Sequence, residues 1–179
     1  TGYTALRNNT TANNNSAFGY RAMRETTTGG NNTAMGYYAL HANTTGAGNT
    51  AIGYQTLYYN TTGNENVGVG NYALHNNTTA VDNTAVGNRA LFTNTTGTGN
   101  AALGYYALNV NTGANNTAVG HFAMRLTTTG GNNTSIGKSA LYANTTGANN
   151  VAIGKGSLAA NTTAATNTAI GANAMASNT

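Results

Sequence analysis

Glycine recurs with a 17-residue period along the whole chain, and this period constrains the fold more than any other feature. The glycines are Gly2, Gly19, Gly36, Gly53, Gly70, Gly87, Gly104, Gly120, Gly137, Gly154 and Gly171. The interval from Gly104 to Gly120 is shorter by one residue, because Asn111-Thr112-Gly113 stands where other units have Asn-Thr-Thr-Gly. Residues 1–179 therefore form one array of about ten and a half units, with no room for a separate domain or linker.

Two large apolar columns accompany the glycines. The residue before the glycine is Phe18, Met35, Ile52, Val69, Val86, Leu103, Val119, Ile136, Ile153 or Ile170. The residue four after it, called here the leucine column, is Leu6, Met23, Leu40, Leu57, Leu74, Leu91, Leu108, Met124, Leu141, Leu158 or Met175. A 17-residue unit with two such residues cannot bury a core alone, but stacked units can, because each column becomes a continuous ridge.

Short β-segments suit this unit better than helices. A helical hairpin repeat needs about 33 residues or more. Asn, Thr and Gly, which make up 90 of the 179 residues, are poor helix formers. We predict one strand at Asn-Thr-Ala-Ile, a second at Ala-Leu-X-X-Asn-Thr, and glycine-containing corners. The chain is then an all-β, parallel β-solenoid (β-roll) with one coil per 17-residue repeat, a rod roughly 50 Å long.

The strand pattern also predicts what faces the interior. We expect the Ile and Leu columns to meet across a thin core. The alanines that alternate with Ile would point away from it and let another chain approach, unless they simply fill a narrow coil. These alanines are Ala34, Ala51, Ala85, Ala102, Ala118 and Ala169.

An asparagine four residues before each glycine predicts a structural amide ladder, because stacked amides both donate and accept hydrogen bonds. Its members, with Asn15 at the start, are Asn32, Asn49, Asn66, Asn83, Asn100, Asn116, Asn133, Asn150 and Asn167. Proline is absent from the chain, as expected where almost every backbone N–H bonds to the next coil.

Composition excludes several functional classes. There is no cysteine, so no disulfide scaffold or thiolate metal site is expected. Only 6% of residues are Asp, Glu, Lys or Arg. No apolar run approaches about 18 residues, so no membrane insertion is expected, and no signal peptide is recognisable. With three acids and three histidines, we expect no catalytic site, no metal site, no cofactor and no enzyme activity.

Few titratable residues form candidate sites. His41 and His75 share a column two coils apart, about 9–10 Å, which is too far for a shared zinc ion, and we expect solvated surface histidines. Glu65 and Asp82 should be stacked neighbours, which favours an accidental or weakly cation-binding pair over a catalytic one.

The basic residues are sparse. Arg7 and Arg24 are stacked neighbours, with Arg125 in the same column. A net charge of +4 spread along the whole rod gives too low a density of positive charge to attract nucleic acid, so we do not expect nucleic acid as a partner.

Aromatic residues and threonines form further columns. Tyr37, Tyr54 and Tyr105 are weak ligand-binding candidates. With Tyr3 and Tyr20 they could form a sugar-binding strip or a contact between protomers. The alternative is ordinary stacking of aromatic rings along a corner of the solenoid. Adjacent threonines such as Thr44-Thr45 suggest an ice-binding face. They fit a turn better than such a face, because neighbouring residues of a strand point to opposite sides of the sheet. The many Asn-X-Thr triplets arise from composition, and whether they carry glycan depends on the host.

A longer period is superimposed on the coils. Ala22-Met23-Arg24 and Thr26 to Thr33 recur 101 residues later as Ala123-Met124-Arg125 and Thr127 to Thr134, which we interpret as block duplication. Because the array starts and stops within a unit, we expect it to be a fragment of a longer chain.

The unit from Asn49 to Gly63, Asn-Thr-Ala-Ile-Gly-Tyr-Gln-Thr-Leu-Tyr-Tyr-Asn-Thr-Thr-Gly, resembles repeats of phage and bacterial tail-fibre-type proteins. It is also similar to the head repeats of trimeric autotransporter adhesins, whose coils are shorter. The resemblance implies a left-handed, homotrimeric β-roll that serves as the shaft or head of an extracellular fibre and contacts a cell-surface glycan or receptor. The alternatives are a subunit of a self-assembling extracellular filament and, less favoured, an ice-binding solenoid.

Overall fold

The computed structural model describes residues 1–178, which contain ten strands of three residues each and no helix. All ten strands lie side by side in chain order in one parallel sheet, and they bound nine complete coils. This confirms an all-β parallel β-solenoid with one coil per unit. The strands are β1 Ser16–Phe18, β2 Thr33–Met35, β3 Thr50–Ile52, β4 Val67–Val69, β5 Thr84–Val86, β6 Ala101–Leu103, β7 Thr117–Val119, β8 Thr134–Ile136, β9 Val151–Ile153 and β10 Thr168–Ile170.

The strands pair in the register that the period dictates. Ala34 of β2 lies opposite Ala51 of β3, one full unit later in the chain. Between β6 and β7 the partners are Ala102 and Ala118, whose separation is shorter by one residue. The short unit therefore loses its residue in the turn around Asn111 and leaves the sheet register unchanged.

The predicted second strand, Ala-Leu-X-X-Asn-Thr, is wrong. The structure places this segment in turns, because Leu40 within it (φ 51°) and Tyr38 just before it (φ 55°) adopt the left-handed conformation. Such residues cannot continue an extended strand. The backbone still bonds to adjacent coils, since the Leu40 N–H donates to the Thr56 carbonyl at 2.9 Å and the Tyr38 N–H donates to the Tyr20 carbonyl at 2.9 Å.

The predicted packing of the two apolar columns is also wrong in part. The leucine column is buried from Met23 to Leu158, but the strand alanines, not the isoleucines, face it: Ala51 and Leu57 are fully buried, whereas Ile52 is exposed. Side chains alternate along a strand, so burying the middle residue of β3 turns Ile52 outward. The alanines thus fill a narrow coil, which was the second of the two interpretations given above.

Backbone conformation explains why the two apolar columns use different residues. Every member of the leucine column is Leu or Met, and all of them have φ between 47° and 52°. Branching at Cβ is strongly disfavoured there, so Ile and Val are missing from this column. In the extended strands, by contrast, Ile and Val are favoured and dominate the last position.

We expect Leu74→Ile to destabilise the solenoid far more than Leu74→Met. Leu74 is buried with φ 50°, and Met already occupies this column at Met23 and Met124. The Met variant should cost less than about 1.5 kcal/mol, because volume is conserved. The Ile variant should cost about 1–3 kcal/mol more, because a β-branched residue is strained there. Urea denaturation followed by circular dichroism measures both, and equal stabilities would contradict this account.

The glycine that follows each strand is required by a close approach between coils. Gly87 has φ 134°, a conformation open only to glycine, and a Cβ at this position would lie 2.5 Å from the carbonyl oxygen of Gly104. The glycine column therefore lets successive corners stack directly on one another.

Candidate functional surfaces

The asparagines four residues before the glycines form a continuous buried chain of hydrogen bonds, the first asparagine ladder. Asn83 is typical: its Nδ2 donates to Asn66 Oδ1 at 3.2 Å and to the Gly97 carbonyl at 2.9 Å. Its Oδ1 accepts the backbone N–H of Asn100 at 3.0 Å and Asn100 Nδ2 at 3.1 Å. Both hydrogens and both lone pairs are thus used, as a buried amide requires.

A second asparagine ladder lies at the first residue of the Asn-Thr-Thr-Gly segments, which we had assigned to the predicted second strand. Asn60 Nδ2 donates to Asn43 Oδ1 at 2.9 Å, and Asn77 Nδ2 donates to Asn60 Oδ1 at 2.8 Å. Thr26 and Thr127 replace asparagine in this column, and their buried hydroxyls have no hydrogen-bond partner. The signal that could have revealed this ladder was the recurrence of Asn there in nearly every unit. Its members are Asn43, Asn60, Asn77, Asn94, Asn144, Asn161 and Asn178.

We expect Asn83→Ala to destabilise the rod by about 3 kcal/mol or more. The substitution removes the acceptor of the backbone N–H of Asn100, a residue that is 1% exposed, and the donor to the Gly97 carbonyl, and each buried group left unpaired costs about 1–3 kcal/mol. The exposed Asn71→Ala is the matched control and should stay within about 0.5 kcal/mol of the parent. Chemical denaturation compares them, and a loss of less than about 1 kcal/mol for Asn83→Ala would count against the ladder.

The last residues of the ten strands form an exposed apolar stripe along the outer face of the sheet, called here the aliphatic ridge. Their exposed fractions reach 37% at Ile52, 50% at Leu103 and 68% at Ile170, and the valines are half-buried. Successive members stack directly because their strands are paired in register. The ridge consists of Phe18, Met35, Ile52, Val69, Val86, Leu103, Val119, Ile136, Ile153 and Ile170.

No charged residue interrupts this face of the sheet. Alongside the ridge run the first residues of the strands, which are Ser, Thr, Val or Ala in every unit, as in Ser16, Thr50, Val67 and Ala101. The ten charged residues of the chain all occupy other columns. The structure thus has one elongated face, ten strands long, that is apolar or neutral throughout.

A column of tyrosines runs beside the ridge, separated from it by the glycine. Tyr3, Tyr20, Tyr37 and Tyr54 stack face to face, with ring centroids 5.1–5.4 Å apart and planes within 11° of parallel. Tyr105 stacks in the same way on His121 at 5.2 Å. The rings cover one another's faces, so the candidates Tyr37, Tyr54 and Tyr105 present partly exposed ring edges to solvent.

Arginines are inserted between aromatic rings at the next corner of the coil, an arrangement that sequence reasoning missed. Arg89 Nη1 donates to the Tyr106 hydroxyl at 2.7 Å, and its guanidinium lies 5.3–5.6 Å from the centroids of the Tyr72, Phe92 and Tyr106 rings. Arg125 makes the same bond to Tyr142 at 2.8 Å. These cation–π contacts stabilise the corner and fix its register.

His41 and His75 belong to a stack of rings and are not simple surface residues. The Tyr58 ring lies between them, 5.1 Å from His41 and 5.4 Å from His75, so the expectation of solvated histidines is wrong for both. Burial lowers the pKa of His41, with further lowering by Arg24 and Arg21 and an opposing effect of Glu25. Burial also lowers the pKa of His75, where the hydrogen bond to Asn76 opposes it and Arg89 adds to it. His121 is exposed.

We expect the stability of the rod to fall as pH drops below about 6.5. Because both histidine pKa values are lower when folded than the ordinary value of 6.5, the unfolded chain binds protons first and is favoured in acid. Thermal unfolding at pH 7.5 and pH 5 measures this. The double variant His41→Phe/His75→Phe keeps the stack, as Phe92 does in this column, and should show a smaller loss between these pH values. An equal loss would refute the assignment to these histidines.

The other polar candidates are dispersed. Glu65 and Asp82 are both exposed and sit at successive turns with φ 55° and 60°. Arg7 is exposed, while Arg24 pairs with Glu25 at 2.6 Å. Among residues 1–178 there is no group of three or more His, Asp or Glu side chains placed to hold a metal ion, and no pocket.

The first threonine of most Thr-Thr pairs donates a side-chain hydrogen bond to the next coil. Thr44 Oγ1 donates to the Thr61 carbonyl at 3.1 Å, and Thr61 Oγ1 donates to the Thr78 carbonyl at 3.1 Å. The second threonine, as at Thr45 and Thr62, is exposed. A single column of free hydroxyls remains at this turn, rather than the paired columns that an ice-binding face would need.

Comparison of the chain with protein-family models, with curated proteins and with solved structures finds no match. The resemblance to fibre repeats therefore stays a prediction. In the described part of the chain, no helix is long and apolar enough to cross a membrane.

Proposed function

We propose that this chain is a non-catalytic structural repeat region, the shaft or head of an extracellular homotrimeric fibre or surface adhesin. The observation that carries the proposal is the aliphatic ridge, which leaves a row of large apolar side chains uncovered from β1 to β10. A long, uniform apolar face can be covered along its whole length when it pairs with another rod of the same construction.

The size of the ridge supports association. Its six most exposed members, from Ile52 at 37% to Ile170 at 68%, leave roughly 100 Å² each uncovered, or about 600 Å² together, at the upper end of apolar patches on monomers. The exposed edges of Tyr3, Tyr37 and Tyr54 extend the patch toward the roughly 800 Å² per partner of a stable interface.

The spacing of the ridge supports a partner that is another copy of this chain. Side chains recur once per coil, about 4.8 Å apart, so a second ridge with the same period can match every coil, whereas an unrelated surface matches only a few. The face carries no charge, so parallel copies in register meet no repulsion there. The number three comes from the resemblance to trimeric fibre repeats.

A contact with a cell-surface glycan or receptor belongs to the same proposal. The stacked Tyr37 and Tyr54 and the separate Tyr105 each follow a ridge residue by two positions, and their ring edges are partly exposed. In a trimer they would line the border of the interface, where they could contact either a neighbouring protomer or a ligand.

We expect light scattering coupled to gel filtration to give a mass of about 54 kDa, three times the 18.1 kDa of the chain. The double variant Ile52→Gln/Ile136→Gln should shift the protein to monomer, because it places polar groups in the buried centre of the interface. Leu126→Gln is the matched control: Leu126 is 37% exposed, as is Ile52, but lies on another column, and its variant should remain trimeric.

The outcomes separate the candidates. A parent protein that is monomeric at tens of micromolar would refute the fibre trimer. A mass that grows without limit as concentration rises would favour the self-assembling filament, and measurable thermal hysteresis would favour an ice-binding solenoid. If the parent is a trimer but the ridge variants are trimers too, the trimer stands and the ridge is not its interface.

A further inference from the structure

Six asparagines of the second ladder are also the acceptor residues of Asn-Thr-Thr triplets, the pattern recognised by asparagine-linked glycosylation. All six are 0% exposed. The triplets begin at Asn43, Asn60, Asn77, Asn94, Asn144 and Asn161. The sequence alone could not distinguish them from surface triplets, and the structure places them inside the coil.

A glycan on these side chains is chemically incompatible with the fold. In the transfer reaction, the side-chain amide nitrogen bonds to the anomeric carbon of the sugar and loses one proton, and the pyrophosphate carrier leaves. Both hydrogens of Asn77 Nδ2 are engaged, one with Asn60 Oδ1 at 2.8 Å and one with the Ala80 carbonyl at 3.1 Å, so replacing either by a sugar breaks a buried hydrogen bond. Asn60 and Asn94 use both hydrogens in the same way.

There is also no room for a sugar beside the ladder. The buried asparagines are packed against the turn glycines: a single Cβ added at Gly63 would lie 2.9 Å from Asn77 Nδ2, and one added at Gly130 would lie 3.0 Å from Asn144 Nδ2. Where one carbon atom is crowded, a glycan of several sugars would force the coil open and leave the neighbouring amides unpaired.

We infer that this protein folds without exposure to the enzymes that transfer oligosaccharide to Asn-X-Ser/Thr, in a compartment that lacks them. Before folding, all the triplets of the extended chain are accessible, so transfer would compete directly with coil closure. A chain modified at even one ladder asparagine would be unable to complete that coil. The inference rests on burial and hydrogen bonding, so it stands whether or not the trimer forms.

The same geometry assigns positions that a glycan could occupy. Asn31, Asn115 and Asn132 each begin an Asn-Asn-Thr triplet, and Asn14 begins Asn-Asn-Ser. All four are exposed at a turn on the outside of the coil, with φ between 58° and 60°. A glycan there points into solvent and leaves both ladders intact.

The test compares the same chain made in the cytosol with the chain directed through the secretory pathway of a eukaryotic cell. Peptide mass mapping locates glycans, and circular dichroism and protease resistance report folding. We expect the cytosolic protein to be folded. The secreted chain should carry glycan at ladder positions such as Asn60 or Asn77 and be unfolded and protease-sensitive.

The matched control abolishes the six glycosylation patterns by replacing the third residue of each triplet, which is exposed in every case. Every ladder asparagine is kept. It carries Thr45→Val, Thr62→Val, Thr79→Val, Thr96→Val, Thr146→Val and Thr163→Val. This variant should match the parent when made in the cytosol and should fold in the secretory pathway as well.

Three results would overturn the inference. One is a secreted parent that carries glycan on Asn60 or Asn77 and keeps its β-sheet spectrum and protease resistance. Another is a secreted parent that is folded with these asparagines unmodified, because folding would then outrun transfer. The last is a six-site variant that folds in the cytosol but not in the secretory pathway, because the obstacle would then lie elsewhere.

Discussion

The hydrogen bonding of buried asparagine side chains between coils is the interaction on which the rest of this structure depends. Each 17-residue coil turns only a few side chains inward, and in a typical coil two of these, such as Asn43 and Asn49, are amides. Unpaired, each would cost as much as the adjacent leucine contributes. Paired with the coils on either side, they give every coil a partner for its donors and acceptors, and the narrow Ala/Leu core is then sufficient.

Much of the architecture could be predicted from the sequence because it follows from the period alone. A 17-residue spacing with two apolar columns, many asparagines and no proline indicates stacked parallel coils, and the first ladder is recognisable in its fixed column. The orientation of the apolar columns could not be read from hydrophobicity alone, since Ile and Leu are equally apolar. It depends on the left-handed backbone at Leu40 and its equivalents, which ends the extended chain and places the leucines inside.

The surfaces were harder to predict than the interior for a related reason. Alanine beside isoleucine indicates a strand with one small and one large face, but the size of a side chain does not say which face is buried. One clue was present: the leucine column contains no β-branched residue, whereas Val and Ile dominate the residues before glycine. That difference marks two backbone conformations. The guanidinium groups stacked between rings, as at Arg89, depend on side chains from three successive coils and have no signature in any one unit.

The 16-residue unit shows how such a rod tolerates errors of copying. In this unit Asn111 Nδ2 donates to the carbonyl of Gly113, two residues later, whereas Asn94 Nδ2 in the preceding unit donates to the carbonyl of Gly97, three residues later. The strands on both sides of the short unit keep their pairing. The disturbance stays local. Asn94 Oδ1 has no hydrogen-bond partner, and Asn116 Nδ2 donates to Asn111 Oδ1 of the second ladder rather than to Asn100 Oδ1 of its own ladder. Since each coil contacts only its neighbours, whole units can be gained or lost without redesign of the others. The length of the rod is thus a quantity that evolution can adjust in steps of one coil, about 4.8 Å at a time.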